Sequence, residues 1–82
     1  MMTVTIKGYT TLTGKPETIL RLMQEARLFD ANIDAESYIE TIQETALRCF
    51  GVPLIVTGNT YAERAESLLR AMAANGMIDL KD

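Results

Sequence analysis

Residues 52–80 carry the clearest structural pattern in the chain and read VPLIVTGNTYAERAESLLRAMAANGMIDL. The β-branched and apolar residues at 52–57 predict a strand, and those at 77–80 predict a shorter one. Between them, apolar residues recur at helical spacing rather than at every second position. The segment therefore predicts a strand, a helix and a second strand, which form a unit of a small α+β domain.

The helix in this unit has sequence signals at both ends. Thr60 and Glu63 have capping-box spacing, in which the two side chains satisfy N–H groups that the first turn leaves unpaired. Gly76 suits the left-handed conformation that ends a helix. The predicted inner face is rich in alanine, which permits close packing, and consists of Ala62, Ala65, Leu68, Leu69, Met72 and Ala73.

The N-terminal segment predicts a further strand. Residues 3–7 alternate, with Val4 and Ile6 on one face and polar residues on the other. The alternation continues over 9–13, beyond Gly8, which allows either a bulged, longer strand or the second arm of a hairpin. The pattern leaves these two alternatives open.

Two helices are predicted between positions 16 and 50. Pro16 suits a first helical position, because no N–H is needed there, and Asp34 is a favoured N-cap for the next helix. Gly51 follows the second helix as a left-handed stop. The apolar stripe of the first helix is Ile19, Leu22, Met23, Ala26 and Phe29, and that of the second is Ala35, Ile39, Ile42, Ala46 and Cys49.

These elements predict one α+β domain over residues 1–82. Their order is β-α-α-β-α-β, with three helices on one face of a two- or three-stranded sheet. If the last two strands are neighbours, the helix between them makes the pair parallel and right-handed. Antiparallel pairing of the last strand with the first is equally open, since the connection at Gly76 is short.

Composition argues against several classes of function. The 82 residues carry a net charge of −3, so no basic field is available to neutralise nucleic-acid phosphates. One cysteine and no histidine exclude an intrachain disulfide, Cys/His zinc sites and His-based catalysis. No apolar run is long enough to span a membrane and no secretory signal is recognisable, so we expect a cytoplasmic protein.

Two stretches approach ligand-binding motifs and fail to complete them. Residues 8–15, GYTTLTGK, place five residues between the glycines where a phosphate-binding P-loop needs four, and Pro16 follows where the motif needs Ser or Thr. Residues 30–34, DANID, have the alternating oxygen ligands that begin an EF-hand loop, but Ala35 stands where its glycine is required. Both stretches are predicted to be ordinary connections.

The one thiol of the chain, Cys49, lies near the C-terminal end of a predicted helix, where the dipole disfavours the thiolate that a nucleophile needs. It is predicted to be a small buried hydrophobe. The N–H groups at 57–60 resemble a generic anion site, but the capping box is expected to occupy them. We accordingly predict no catalytic, cofactor-binding or metal-binding residue.

Candidate functional residues lie instead on the first two helices. Three glutamates of the second helix form an acidic ridge, which predicts either a docking face for a basic partner or a solvated helix face. Apolar residues also exceed what the thin core of so small a domain easily covers. The candidates for an interaction surface are therefore Leu20, Leu28, Glu36, Glu40, Glu44 and Phe50.

Three hypotheses about function follow. The leading one is a non-catalytic protein-interaction module that self-associates, for example as a homodimer, or docks on a larger partner. The second is a small-ligand or effector-binding domain, with a shallow site formed by residues 9–13 and Tyr61. A nucleic-acid-associated regulator is disfavoured by the charge and by the lack of a helix-turn-helix pair.

Overall fold

The structure is a computed structural model, and it describes residues 1–6, 8, 10–26 and 34–81. Its elements are β1 Met2–Ile6, β2 Thr10–Gly14, α1 Pro16–Glu25, α2 Ala35–Phe50, α3 Tyr61–Ala74 and β3 Asp79–Lys81. The strands form one antiparallel sheet in the order β2-β1-β3. The predicted class, a small α+β fold with three helices and a two- or three-stranded sheet, is confirmed, and the sheet has three strands.

The second strand in chain order is formed by residues 10–14 and not, as predicted, by residues 52–57. The order of elements is therefore β-β-α-α-α-β. Residues 52–57 pair with no strand and pass between two helices instead. On one side, the Gln43 side chain of α2 donates to the Leu54 carbonyl at 2.9 Å. On the other, the Thr57 N–H donates to the Ser67 hydroxyl of α3 at 3.0 Å. Helix side chains thus satisfy backbone groups that a sheet ladder would otherwise pair.

The first two strands form a hairpin, which was one of the two alternatives for the N-terminal segment. β3 pairs with β1 on its other side, so the antiparallel alternative for the last strand is the observed one. Val4 lies opposite both Leu12 and Leu80, which gives the sheet one apolar face. The opposite face is lined by threonines whose hydroxyls hydrogen-bond across β1 and β2, namely Thr3 with Thr13 and Thr5 with Thr11.

The core lies between the apolar sheet face and the helices. α1 and α3 pack on each other, α1 contacts β2, α3 contacts β3, and α2 packs against α3. Side chains with no exposed surface come from the sheet and from all three helices, and include Val4, Ile19, Leu20, Tyr38, Ile39, Ile42, Leu68 and Leu69. Because every layer contributes, the core forms only when the hairpin, the helices and the C-terminal strand come together.

The predicted ends of α3 and α2 are confirmed. Thr60 Oγ1 accepts from the Glu63 N–H at 3.1 Å, and Glu63 Oε1 accepts from the Asn59 N–H at 2.9 Å, so the capping box reaches one residue beyond the cap. Gly51 ends α2 in the left-handed region, with φ 68°. These signals act through neighbours in sequence, which is why the sequence alone predicts them.

Asp34 caps α2 and makes the stability of the fold pH-dependent. Its carboxylate accepts from the Ser37 N–H at 2.9 Å and from the Ser37 hydroxyl, and these bonds lower the pKa of Asp34 below its ordinary value. A lowered folded pKa means that the stabilisation is present above the unfolded pKa, about 3.9, and is lost as pH falls through the folded value.

We therefore expect the stability advantage of the wild type over Asp34→Asn, which keeps an oxygen acceptor but does not titrate, to shrink as the pH is lowered from 5 to about 2.5. Urea unfolding of both proteins at each pH measures it. An advantage that stays constant over this range would show that the Asp34 pKa is not displaced on folding.

Candidate interaction surface

The acidic ridge of α2 is largely neutralised by local partners. Glu36 forms an ion pair with Arg64 of α3, and Glu44 forms one with Arg48 on its own helix. Within the part of the chain that the structure describes, Glu40 is exposed and has no ion-pair partner. Exposed pairs of this kind add little stability, but they leave no continuous acidic field for a basic partner. The ridge fits a solvated helix face better than a docking face.

Leu20, proposed from the sequence for a subunit contact, belongs to the core. Its side chain is 0% exposed, because α1 is covered both by the sheet and by α3, so residues beyond its main apolar stripe are also enclosed. Leu28, the other leucine proposed for this role, lies outside the described residues, as do Phe29 and Tyr9.

The last turn of α2 is exposed on every side. Leu47 retains 58% and Phe50 retains 62% of their accessible surface, although both are large apolar side chains. Cys49 is exposed as well, so the prediction of a buried thiol is wrong. The reason is that Ala46 is the last buried residue of α2, and the turn beyond it extends past the core before Gly51 reverses the chain.

Ile55 extends this exposed apolar surface beyond the helix. It retains 75% of its surface, since in the extended segment its neighbour Leu54 points inward. Gln43, which holds the Leu54 carbonyl, lies one turn before Leu47 on the same face of α2. Ile55 therefore lies beside that face, and Leu47, Phe50 and Ile55 are called the apolar patch below.

Phe50 and Ile55 of the apolar patch lie in the longest stretch of the sequence without a charged residue, and Leu47 lies just before it, next to Arg48. No Asp, Glu, Lys or Arg occurs from position 49 to 62, although 23% of the whole chain is charged. Soluble monomers rarely expose large apolar side chains in a group, and such groups mark interaction sites. Of the residues proposed from the sequence for an interaction surface, Phe50 is the one that the structure places in this patch.

An apolar pocket of about 590 Å³ opens beside the patch. Its described lining comes from β1, all three helices and the connections after α2 and α3, and comprises Ile6, Met23, Phe50, Val52, Met72, Asn75, Gly76, Met77 and Ile78. None of these residues is charged, and Phe50 belongs to both the pocket lining and the patch. The pocket was not predicted, because its walls are distant in sequence and meet only through tertiary packing.

The shallow ligand site expected at residues 9–13 and Tyr61 is not assembled as one site. Thr10 and Thr11 line a hollow beside β1, whereas Tyr61 lines a separate hollow with α1 residues such as Arg21. The described residues that were proposed to share one ligand therefore face different parts of the surface.

Three side chains, Asp34, Tyr38 and Tyr61, have pKa values that are shifted further from neutral pH. Burial raises the pKa of Tyr38, and the Tyr61 pKa is raised by burial and by the nearby carboxylates of Glu36 and Glu17. The pKa of Asp34 is lowered by its cap hydrogen bonds. General acid–base catalysis works best with a pKa close to the operating pH, so these three shifts do not prepare such a group.

The fold and the surface define a small α+β domain whose most distinctive feature is an exposed apolar patch beside an uncharged pocket. Among residues 1–6, 8, 10–26 and 34–81, no group of acidic or cysteine side chains is arranged to hold a metal ion, and no helix has the length and apolar character to cross a membrane. Comparisons with protein families, curated proteins and solved structures found no match.

Proposed function

We propose that this chain is a non-catalytic protein-interaction module that self-associates, as a homodimer in its simplest form, through the apolar patch. The observation that carries the proposal is the joint exposure of Leu47, Phe50 and Ile55 at 58%, 62% and 75%. The size and composition of the chain suit a short accessory protein of the cytoplasm of bacteria or their prophages.

Physical considerations favour a second copy of the chain as the partner. Removing apolar surface from water contributes about 25 cal/mol per Å², and a two-fold axis through the patch would bury all three side chains in both copies. Two chains of net charge −3 repel each other, but the three side chains of the patch are uncharged, and the exposed charges next to Leu47, those of Glu44 and Arg48, are paired with each other. The patch itself therefore brings no unpaired charge into a contact between two copies.

Ile55→Lys is expected to weaken self-association by about tenfold or more, since an apolar anchor would be replaced by a charge that must lose its hydration on contact. Thr13→Lys is the matched control, because it adds the same charge to an exposed position on the far face of the sheet. Light scattering on a sizing column, run over a series of chain concentrations, measures the dissociation constant of each protein.

A wild type that stays monomeric at all concentrations would contradict self-association, and an equal effect of the two lysines would show that the contact lies elsewhere.

A second candidate, a small-ligand-binding domain, is favoured by the uncharged pocket beside the patch. Native mass spectrometry of the purified chain tests it, because a retained small molecule adds its mass to the monomer.

A further inference from the structure

We propose that in the homodimer the Phe50 side chain of each copy inserts into the apolar pocket of the other. This inference rests on the self-association proposed above and specifies its geometry. Phe50 is a knob that is 62% exposed, and the pocket is an open cavity on the same face of the same molecule. The partner is a second copy of this chain.

Size and chemistry of the pocket suit an aromatic side chain. A volume of about 590 Å³ falls within the range of roughly 300 to 1,000 Å³ that holds drug-sized ligands, so one phenyl ring is accommodated with room for adjustment. The lining residues Met23, Met72 and Met77 have flexible, polarisable side chains that adapt to an inserted ring. Aromatic anchors in such pockets commonly supply most of the affinity of an interface.

The position of Phe50 makes the exchange reciprocal. Phe50 lines its own pocket, so the knob and the cavity are neighbours on one surface. A two-fold axis close to the pocket rim places each knob opposite the cavity of the other copy, as the self-complementarity of a symmetric dimer requires. Two insertions then form in each dimer, and neither the knob nor the described lining brings a charge that would be buried without a partner.

Complementation between two defective variants tests this geometry. Phe50→Ala removes the knob and keeps the pocket, whereas Met77→Lys blocks the pocket. Lysine is chosen because it lowers the net negative charge, so weaker association cannot arise from greater repulsion between copies. The chain contains no tryptophan, so Phe50→Trp provides a single fluorescent knob.

We expect F50W in the otherwise unchanged chain to shift its emission to the blue as the chain concentration rises. The double variant F50W/M77K should show no such shift alone, and should show it when mixed with equimolar F50A, whose pocket is intact. Mixing it with F50A/M77K should produce no shift. Homodimers of F50A and of M77K should dissociate about tenfold or more readily than the wild type, and the mixed dimer should recover part of the loss.

Val52→Lys, on another wall of the pocket, replaces Met77→Lys if circular dichroism shows that the latter does not fold. A blue shift that does not depend on concentration, or a dimer of F50A as tight as the wild type, overturns the exchange while self-association stands by light scattering. A monomeric wild type overturns both proposals. If instead the wild type is a monomer with a bound small molecule, and Met77→Lys loses that molecule, the pocket is a ligand site. This result also overturns the exchange.

Discussion

Leu20→Ala is expected to lower the free energy of unfolding by about 3 kcal/mol, because it leaves a cavity between α1, the sheet and α3 where the leucine is 0% exposed. A chain of 82 residues has a total stability on the order of 4 to 12 kcal/mol, so a loss of this size is a large fraction of the whole. Urea denaturation followed by circular dichroism measures the change.

Leu47→Ala is the matched control for this substitution, since it makes the same chemical change on a leucine that is 58% exposed. Its cost in the monomer is expected to be within about 0.5 kcal/mol. Both variants should be measured at the same low chain concentration, because association would add a concentration-dependent contribution to stability. Equal losses at the two positions would contradict the placement of Leu20 in the core and restore it as a surface candidate.

Gly58→Ala is expected to destabilise the fold by about 2 to 4 kcal/mol, from steric overlap and from backbone strain together. An added Cβ would lie 2.7 Å from Glu63 Cβ and 3.0 Å from the Glu63 carbonyl carbon, and Gly58 has φ +130°, which side chains rarely allow. The contact would also disturb Glu63, whose carboxylate completes the cap of α3 through Asn59. Thermal and urea unfolding measure the loss.

Gly51→Ala separates the two contributions. Gly51 also has a positive φ, +68°, but a Cβ there would meet nothing within 4 Å, so only the left-handed backbone cost of about 1 kcal/mol is expected. If the two substitutions lower the free energy of unfolding equally, the close approach between Gly58 and the first turn of α3 does not require glycine at position 58.

The functional proposals share one structural origin, the turn of α2 that extends beyond the core. Ala46 is the last buried residue of α2, and the turn that follows it carries Leu47 and Phe50 in exposed positions. Phe50 and Val52 from this region line the pocket. The extra turn thus places an apolar knob beside an apolar cavity. This arrangement is more informative than the acidic ridge, whose charges are mostly paired within the chain.

Sequence signals were sufficient where the decisive contacts are local. The bounds of α2 follow from Asp34 at its start and Gly51 at its end, and the start of α3 follows from Thr60 with Glu63. A cap needs only a side chain and an N–H group three residues away, so its pattern is complete in the sequence. The class of fold followed from the same elements, since helices and strands with one apolar face must pack together.

The exposure of the candidate site residues does not follow from the sequence, because it depends on what lies opposite each side chain in the folded chain. Leu20 and Phe50 both appeared as surplus apolar residues, yet one is enclosed between two layers and the other lies past the edge of the core. Cys49 continues the helical stripe of Ala46, but it is exposed, and among the described residues no helix or strand covers the last turn of α2. Hydrophobic periodicity identifies a face of a helix and does not say how far along that face the core extends.

The amino-acid sequence by itself determined the three helices, the N-terminal caps of α2 and α3 and the α+β class, because these depend on interactions within a few residues. Tertiary structure alone decided which extended segment joined the sheet, since residues 10–14 and residues 52–57 both have the pattern of a strand and only the first of them pairs with β1. Tertiary packing also forms the apolar patch and the pocket. Their residues come from distant parts of the chain, and their relation exists only after the layers have packed.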